Sequence, residues 1–159
     1  MSEVIIRDPV AVENSLVTVG PILLGGITAA VAYTNGDQMG SLIPIGVPRE
    51  GTILEVRFHD LDDEGIDKEL WLFSRPVTLA ADNAAFSLSD TDNFAVVAVF
   101  LFDVWRDAVN NQVGLTANTP ANYRAPQEQL YCAVKTKGAD NITLGSEPHL
   151  SFVIERRRG

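Results

Sequence analysis

Apolar and polar residues alternate in several short stretches of this sequence, and this two-residue period constrains the fold more than any other feature. In residues 52–59, Leu54, Val56 and Phe58 are separated by charged residues. Successive side chains of a strand point to opposite faces, so each such stretch predicts a strand with one buried face. The same period recurs at residues 68–73, 129–136 and 150–155.

Strands of this kind, separated by connections rich in Gly, Pro, Asn and Asp, predict an all-β fold, an antiparallel β-sandwich of jelly-roll type. Residues 94–102 are apolar almost throughout, which predicts a central strand covered on both faces. Helical periodicity is weak, and one short turn is predicted near residues 88–92, where Ser and Asp side chains can cap it. The charged connection at residues 60–65 predicts a hairpin loop, and residues 110–127 predict a long irregular connection.

The length of 159 residues fits a single compact domain. We divide the chain into an N-terminal extended arm or assembly segment at residues 1–32, the sandwich at 33–155 and a basic tail at 156–159. The only cysteine, Cys132, excludes an intrachain disulfide and is predicted to be buried and inert. The predicted core consists of Leu54, Val56, Phe58, Leu70, Leu72, Val97, Val99, Cys132, Val134, Phe152 and Ile154.

The charge balance restricts the partners of the chain. Twelve Lys and Arg residues against 21 Asp and Glu give a net charge of −9, and the only basic run, residues 156–158, lies at the chain end. Proteins that bind nucleic acid by neutralising phosphates carry a basic face, so no nucleic-acid partner is predicted. The uncharged stretch at residues 14–36 is broken by Gly and Pro, so no membrane span is predicted. The acidic N-terminus predicts synthesis in the cytoplasm rather than secretion.

Residue types that carry catalysis or metal binding are sparse. His59 and His149 share no metal-ligand spacing, and the sequence has no nucleophile elbow, phosphate loop or dinucleotide fingerprint. We therefore predict that the chain is not an enzyme and uses no cofactor or metal. A carboxylate pair such as Asp60 and Asp90 is the catalytic alternative. Residues 60–67 match the first half of an EF-type calcium loop but lack its final glutamate, so a solvated loop and an ion site both stay open.

Three motifs in a fixed order give the chain a resemblance to a known family. They are Tyr-Thr-Asn-Gly-Asp-Gln-Met-Gly at residues 33–40, Leu-Trp-Leu-Phe-Ser-Arg-Pro at 70–76 and Asp-Asn-Ala-Ala-Phe-Ser-Leu-Ser-Asp at 82–90, followed by the Leu-Tyr strand at 130–131. Together they resemble small virion proteins encoded by tailed bacteriophages, over residues 30–136. The motif residues themselves fit turns and strand ends, and the resemblance nominates no catalytic residue among them.

The resemblance implies a capsid cement or decoration protein on the virion surface. Its partners would be major capsid protein subunits, and its assembly a homotrimer. A tail, neck or head-fibre-base component is the alternative within the same class. Two alternatives belong to other functional classes. One is a carbohydrate-binding β-sandwich module, and the other is a small hydrolase. The module would offer stacking faces on Trp71, Trp105, Tyr123 and Tyr131.

The uncharged segment from Leu16 to Val31 is predicted to be buried between subunits, because the sandwich already has enough apolar faces to close its own core. Leu23 and Leu24, beside Gly25 and Gly26, are the candidate anchors, and packing within the same chain is the alternative. With no basic patch, attachment is expected to depend on apolar contacts more than on charge. The predicted interface set consists of Leu16, Ile22, Leu23, Leu24, Ile27, Trp105 and Tyr123.

Overall fold

A computed structural model of the chain describes residues 15–28, 32–116, 120–143 and 145–157. Within those ranges the chain forms ten strands and one short helix. Their bounds are β1 Ser15–Leu23, β2 Gln38–Gly46, β3 Glu50–Asp60, β4 Lys68–Phe73, α1 Asp90–Asn93, β5 Val96–Phe102, β6 Trp105–Asp107, β7 Gln112–Thr116, β8 Ala121–Arg124, β9 Gln129–Thr136 and β10 His149–Arg156.

The strands form two packed antiparallel sheets. The larger sheet has the order β1-β10-β3-β7-β6, with β8 also paired to β3, and the smaller has the order β2-β9-β4-β5. Most connections cross from one sheet to the other, which is the winding of a jelly roll. The prediction of an all-β antiparallel sandwich is confirmed.

Two connections differ from their predictions. Residues 60–65 do not form a hairpin, because β3 and β4 lie in different sheets. The buried Asp60 carboxylate accepts backbone hydrogen bonds from Asp62, Glu64 and Gly65, which folds this stretch into a crossing turn. Residues 110–127 are not wholly irregular, since they include β7 and β8, and both pair with β3.

The apolar run at residues 94–102 does not form a central strand. It contributes β5, an edge strand of the smaller sheet whose one partner within the described residues is β4. Val99, predicted to lie in the core, is 43% exposed on its outer face, and Leu101 is also exposed. Val97 is half-buried at a register shift between β4 and β5. A continuous apolar run therefore marks an edge here.

The core lies between the two sheets and otherwise follows the predicted alternation. One exception is Leu54, which is half-buried because the register between β3 and β10 shifts there and Ile53 takes the inward position. A bulge of this kind moves one side chain out of the alternation. The predicted core residues that are buried are Val56, Phe58, Leu70, Leu72, Cys132, Val134, Phe152 and Ile154.

The described part of the N-terminal segment packs on the sandwich. β1 pairs with β10 and forms one edge of the larger sheet, and Leu24 is fully buried in the core. The assignment of residues 1–32 to an arm also covers residues 1–14 and 29–31, which lie outside the described residues. Residues 15–28 are therefore part of the sandwich.

A second, smaller core covers the outer face of the smaller sheet. The segment after β4 folds back so that Val77 and Ala95 are buried against Phe73, while Phe86 packs on Trp71 with ring centroids 5.1 Å apart. α1 lies in this segment, and the Ser89 hydroxyl caps it, as the sequence predicted. The sandwich thus has a third layer on one side.

Asp82 links the sequence motif at residues 82–90 to the motif at residues 33–40 through hydrogen bonds. One carboxylate oxygen accepts hydrogen bonds from the Tyr33 hydroxyl and the Gly40 amide, each at 2.7 Å, and the other accepts two from Thr28. Burial alone would raise the pKa of Asp82, but these hydrogen bonds outweigh it and hold the pKa below its usual value. Gly40 has φ +71° and a Cβ there would lie 2.5 Å from the Gly25 carbonyl, so the glycine is required.

A fully buried ion pair joins the two sheets at the end of the sandwich where β3 stops. Lys68, the first residue of β4, places Nζ 2.8 Å from Asp140 Oδ2 and donates to the Ile66 carbonyl at 2.7 Å. The ammonium also lies 5.0 Å from the ring centroid of Phe58 and 4.8 Å from that of Trp105, both in the larger sheet. Burial raises the pKa of Asp140 despite the opposing charge of Lys68.

Breaking this pair should destabilise the fold strongly. Lys68→Met leaves the Asp140 carboxylate buried without its cation, which costs about 3–5 kcal/mol. The double variant Lys68→Met/Asp140→Leu removes both charges and should recover most of that loss. Urea unfolding of the three proteins measures this, and losses that simply add in the double variant would contradict it.

Candidate functional site

An open cleft lies where the ends of β1, β3 and β10 meet the turns that lead into β3 and β9. Its volume is about 1360 Å³. Valines and prolines contribute its apolar surface, and arginines and glutamates its charge. The residues that line it are Val17, Val19, Gly46, Val47, Pro48, Arg49, Glu50, Arg124, Pro126, Glu128, Arg156 and Arg157.

The four arginines of the cleft come from three separate parts of the chain. Arg49 lies in the turn before β3, Arg124 ends β8, and Arg156 and Arg157 lie at the end of β10. The sequence analysis did not anticipate this group, because only residues 156–158 form a basic run and Arg49 and Arg124 are isolated in sequence. We call this site the arginine cleft.

The ion pairs within the arginine cleft are loose. Arg49 Nε lies 3.6 Å from Glu128 Oε1, and Arg124 Nε lies 3.6 Å from Glu50 Oε1, with the Arg124 side chain 83% exposed. Exposed pairs of this kind contribute about 0–1 kcal/mol. Arg156 forms no ion pair within the described ranges. Arg157 donates to the Asn122 side-chain oxygen at 3.1 Å. The guanidinium groups of Arg49, Arg124 and Arg156 are therefore available to other carboxylates at little cost.

The opposite end of the sandwich has the opposite charge. β3 runs from Glu50 at the cleft to Asp60, and a rise of about 3.3 Å per residue over its eleven residues separates the two ends by roughly 33 Å. The turn after β3 carries Asp62, Asp63 and Glu64, all at least partly exposed. The molecule is thus polarised along its strands, which composition alone does not show.

The predicted interface set divides into three groups. Leu16 and Leu23 lie on β1, 67% and 50% exposed, and their role at an interface stays a prediction. Leu24 and Tyr123 are buried in the chain's own core, so their assignment to an interface is wrong for this fold. The others are half-buried and pack against the same core; they are Ile22, Ile27 and Trp105.

The aromatic residues proposed for sugar stacking already have partners in the chain. Trp71 packs on Phe86, and Trp105 lies beside Phe58 and the Lys68 ammonium. Tyr123 is buried, and Tyr131 packs in the second core, where its hydroxyl bonds to the Gln129 side chain. Their faces are engaged within the fold, which disfavours a carbohydrate-binding module.

The groups considered for catalysis are placed apart. Asp60 lies at the end of β3 beside the start of β4, whereas Asp90 is in α1, which packs near the other end of β4 through an Arg75–Asp92 ion pair. Burial raises the pKa of the Cys132 thiol to about 12, which keeps it protonated at neutral pH.

Across the described residues no group of three or more His, Cys, Asp or Glu side chains could hold a metal. No helix among those residues is long and apolar enough to span a membrane.

The two histidines are neighbours, which the sequence did not indicate. His59 on β3 and His149 on β10 are register partners, so they lie side by side on the outer face of the larger sheet. His59 Nε2 is 2.9 Å from the Ser151 hydroxyl, and His149 Nδ1 is 3.1 Å from the Glu147 carbonyl. Partial burial, with smaller contributions from His149 and Arg57, lowers the pKa of His59.

Adjacent leucines provide a matched test of which one belongs to the core. Leu24→Ala opens a cavity in the sandwich and should cost about 2–5 kcal/mol. Leu23→Ala removes an exposed side chain and should change the free energy of unfolding by about 0.5 kcal/mol or less. Urea unfolding distinguishes them, and equal losses would show that the burial assigned to this segment is wrong.

The lowered pKa of His59 predicts a pH-dependent stability. Between the folded pKa and the unfolded value of about 6.5, the unfolded chain binds the proton more readily, so the folded state loses stability as the pH falls through this window. His59→Gln should reduce that loss. Urea midpoints of both proteins, measured above and below this window, provide the test. The same pH dependence in both would assign the loss to other groups.

Comparisons of the chain with protein-family models, with curated proteins and with solved structures find no match. The surface itself is therefore the basis for assigning a function. Its components are a sheet edge with two exposed leucines, a cleft with an apolar lining, and four arginines around that cleft.

Proposed function

We propose that the chain is a structural protein of a virion, a capsid cement or decoration protein that stabilises the head of a tailed phage. It would act at the capsid surface by binding major capsid protein subunits, without nucleic acid or membrane. The observation that carries the proposal is the exposed edge of β1 beside the arginine cleft. Jelly rolls also serve in viral capsids, although the fold by itself does not assign a function.

The edge formed by β1 is suited to binding a protein. Within the described residues β10 is its one partner and no strand pairs with its other side, and the backbone N–H and C=O groups on that side could pair with another chain. Leu16 and Leu23 add exposed apolar surface to this edge. Exposed apolar groups next to an unpaired strand are typical of an interaction surface.

A second edge has the same character. β5 ends the smaller sheet, and Val99 and Leu101 are exposed on it. Phe94, just before β5, is 88% exposed, which is rare for a phenylalanine without a partner molecule. A subunit with two binding edges can contact two neighbours, as the homotrimer of this proposal requires.

The mechanism would be interfacial. Each square ångström of apolar surface removed from water contributes about 25 cal/mol, and a standard interface buries about 800 Å² on each partner. The Lys68–Asp140 pair and the Asp82 hydrogen bonds link separate segments of the sandwich, and a preorganised surface of this kind would reduce the entropy lost on binding. Repeated over many copies, such contacts would resist the pressure of packaged DNA.

Co-sedimentation with undecorated phage shells tests the proposal. The wild-type chain should sediment with the shells, and Leu16→Ser/Leu23→Ser should bind at least about tenfold more weakly, because truncating central apolar contacts costs more than about 1.4 kcal/mol. Leu61→Ser is the matched control, since Leu61 is also exposed but lies in the turn after β3. Static light scattering on the same samples measures whether the chain is a trimer.

Two results would contradict the proposal. One is a wild-type chain that does not sediment with shells of the phage that encodes it. The other is a control variant that loses as much binding as the edge variant, since the β1 edge would then have no special part in attachment.

A further inference from the structure

We infer that the arginine cleft binds an extended acidic segment of a partner protein, one in which carboxylate and apolar side chains alternate. That the partner belongs to a virion shell rests on the proposed function, whereas the chemistry of the segment rests on the cleft alone. The size of the cleft, its charge and the adjacent strand edge each support it.

The size and the lining of the cleft suit a peptide segment. Its volume of about 1360 Å³ accommodates several residues, and Val17, Val19 and Val47 supply apolar surface within it. Successive side chains of an extended segment point in opposite directions. A segment with alternating apolar and carboxylate side chains therefore offers both kinds of group to a lining that holds valines and arginines.

The charge of the cleft favours carboxylates. Four arginines and two glutamates line it, in a chain whose net charge is −9. A guanidinium group can bind a carboxylate through two parallel hydrogen bonds, which its loose 3.6 Å contacts with Glu50 and Glu128 do not provide. A better-placed carboxylate would replace these contacts.

The edge of β1 favours polypeptide over nucleic acid. Val17 and Val19 lie on β1, so a segment in the cleft lies beside a strand that has β10 as its one partner among residues 15–28, 32–116, 120–143 and 145–157. A polypeptide can add a strand to this edge, and main-chain hydrogen bonds then contribute affinity.

Fluorescence anisotropy with a labelled peptide of alternating Glu and Val residues tests the inference on the full-length chain. Arg124→Glu and Arg106→Glu are a matched pair, because both residues are exposed and the two variants have the same net charge, but Arg106 lies on β6 outside the cleft. A Lys-Val peptide and an oligothymidylate are the control ligands. Circular dichroism and urea unfolding establish that both variants fold.

The wild-type chain should bind the Glu-Val peptide, more weakly as salt rises to about 0.5 M. Arg124→Glu should weaken binding at least about tenfold, and Arg106→Glu should leave it within about twofold. The Lys-Val peptide and the oligothymidylate should bind more weakly than the Glu-Val peptide. Tighter binding of either control ligand, equal losses in both variants, or no binding of the Glu-Val peptide would overturn the inference.

Shell binding separates this inference from the proposed function. If the chain sediments with shells but does not bind the Glu-Val peptide, the inference fails and the proposed function stands. If it binds the peptide through Arg124 but does not sediment with shells, the proposed function fails and the cleft remains a site for an acidic segment of another protein.

Discussion

The buried contact between Lys68 and Asp140 is the interaction on which the arrangement of the two sheets most depends. Neither charge could stay in the core without the other, so the start of β4 and the segment after β9 must meet at one place. The same ammonium lies against Phe58 and Trp105 of the larger sheet, which ties the sheets together at this end. At the other end, the ion pairs among the described residues are exposed and loose. It is there that the arginine cleft opens, so one end holds the fold together and the other is available to a partner.

Much of this fold follows from the two-residue period of the sequence. The stretches at 68–73 and 129–136 match β4 and β9, because one-sided burial leaves an alternating pattern. The two-residue period does not show which strands pair with each other in a sheet. A charged turn such as residues 60–65 looks the same whether it joins paired strands or crosses between sheets, and an apolar run such as 94–102 looks the same at an edge as at a centre. Leu54 was misplaced because a bulge adds one residue without changing the local composition.

The candidate site was less predictable than the fold, for a different reason. Leu16 and Leu23 could be selected from sequence because the apolar surface of an uncharged segment broken by glycines is expected to be buried against other residues or a partner. The arginine cleft could not, since Arg49 and Arg124 are isolated in sequence and come together only when β8 pairs with the start of β3. The net charge of −9 gave no indication of the arginine cleft, because a net charge does not show where on the surface the charged residues lie. The expectation that attachment depends on apolar contacts more than on charge stays a prediction, and the arginine cleft adds charged groups beside the exposed leucines.

Hydrogen–deuterium exchange of the chain, free in solution and bound to purified virions, tests the central claim most directly. The account predicts that binding slows exchange in β1 and in the two turns that line the arginine cleft, around residues 46–50 and 124–128, because a bound segment covers these amides. The turn at residues 60–65, at the opposite end, should exchange equally in both states. Protection confined to that opposite end, or particles that do not contain the chain, would contradict the account.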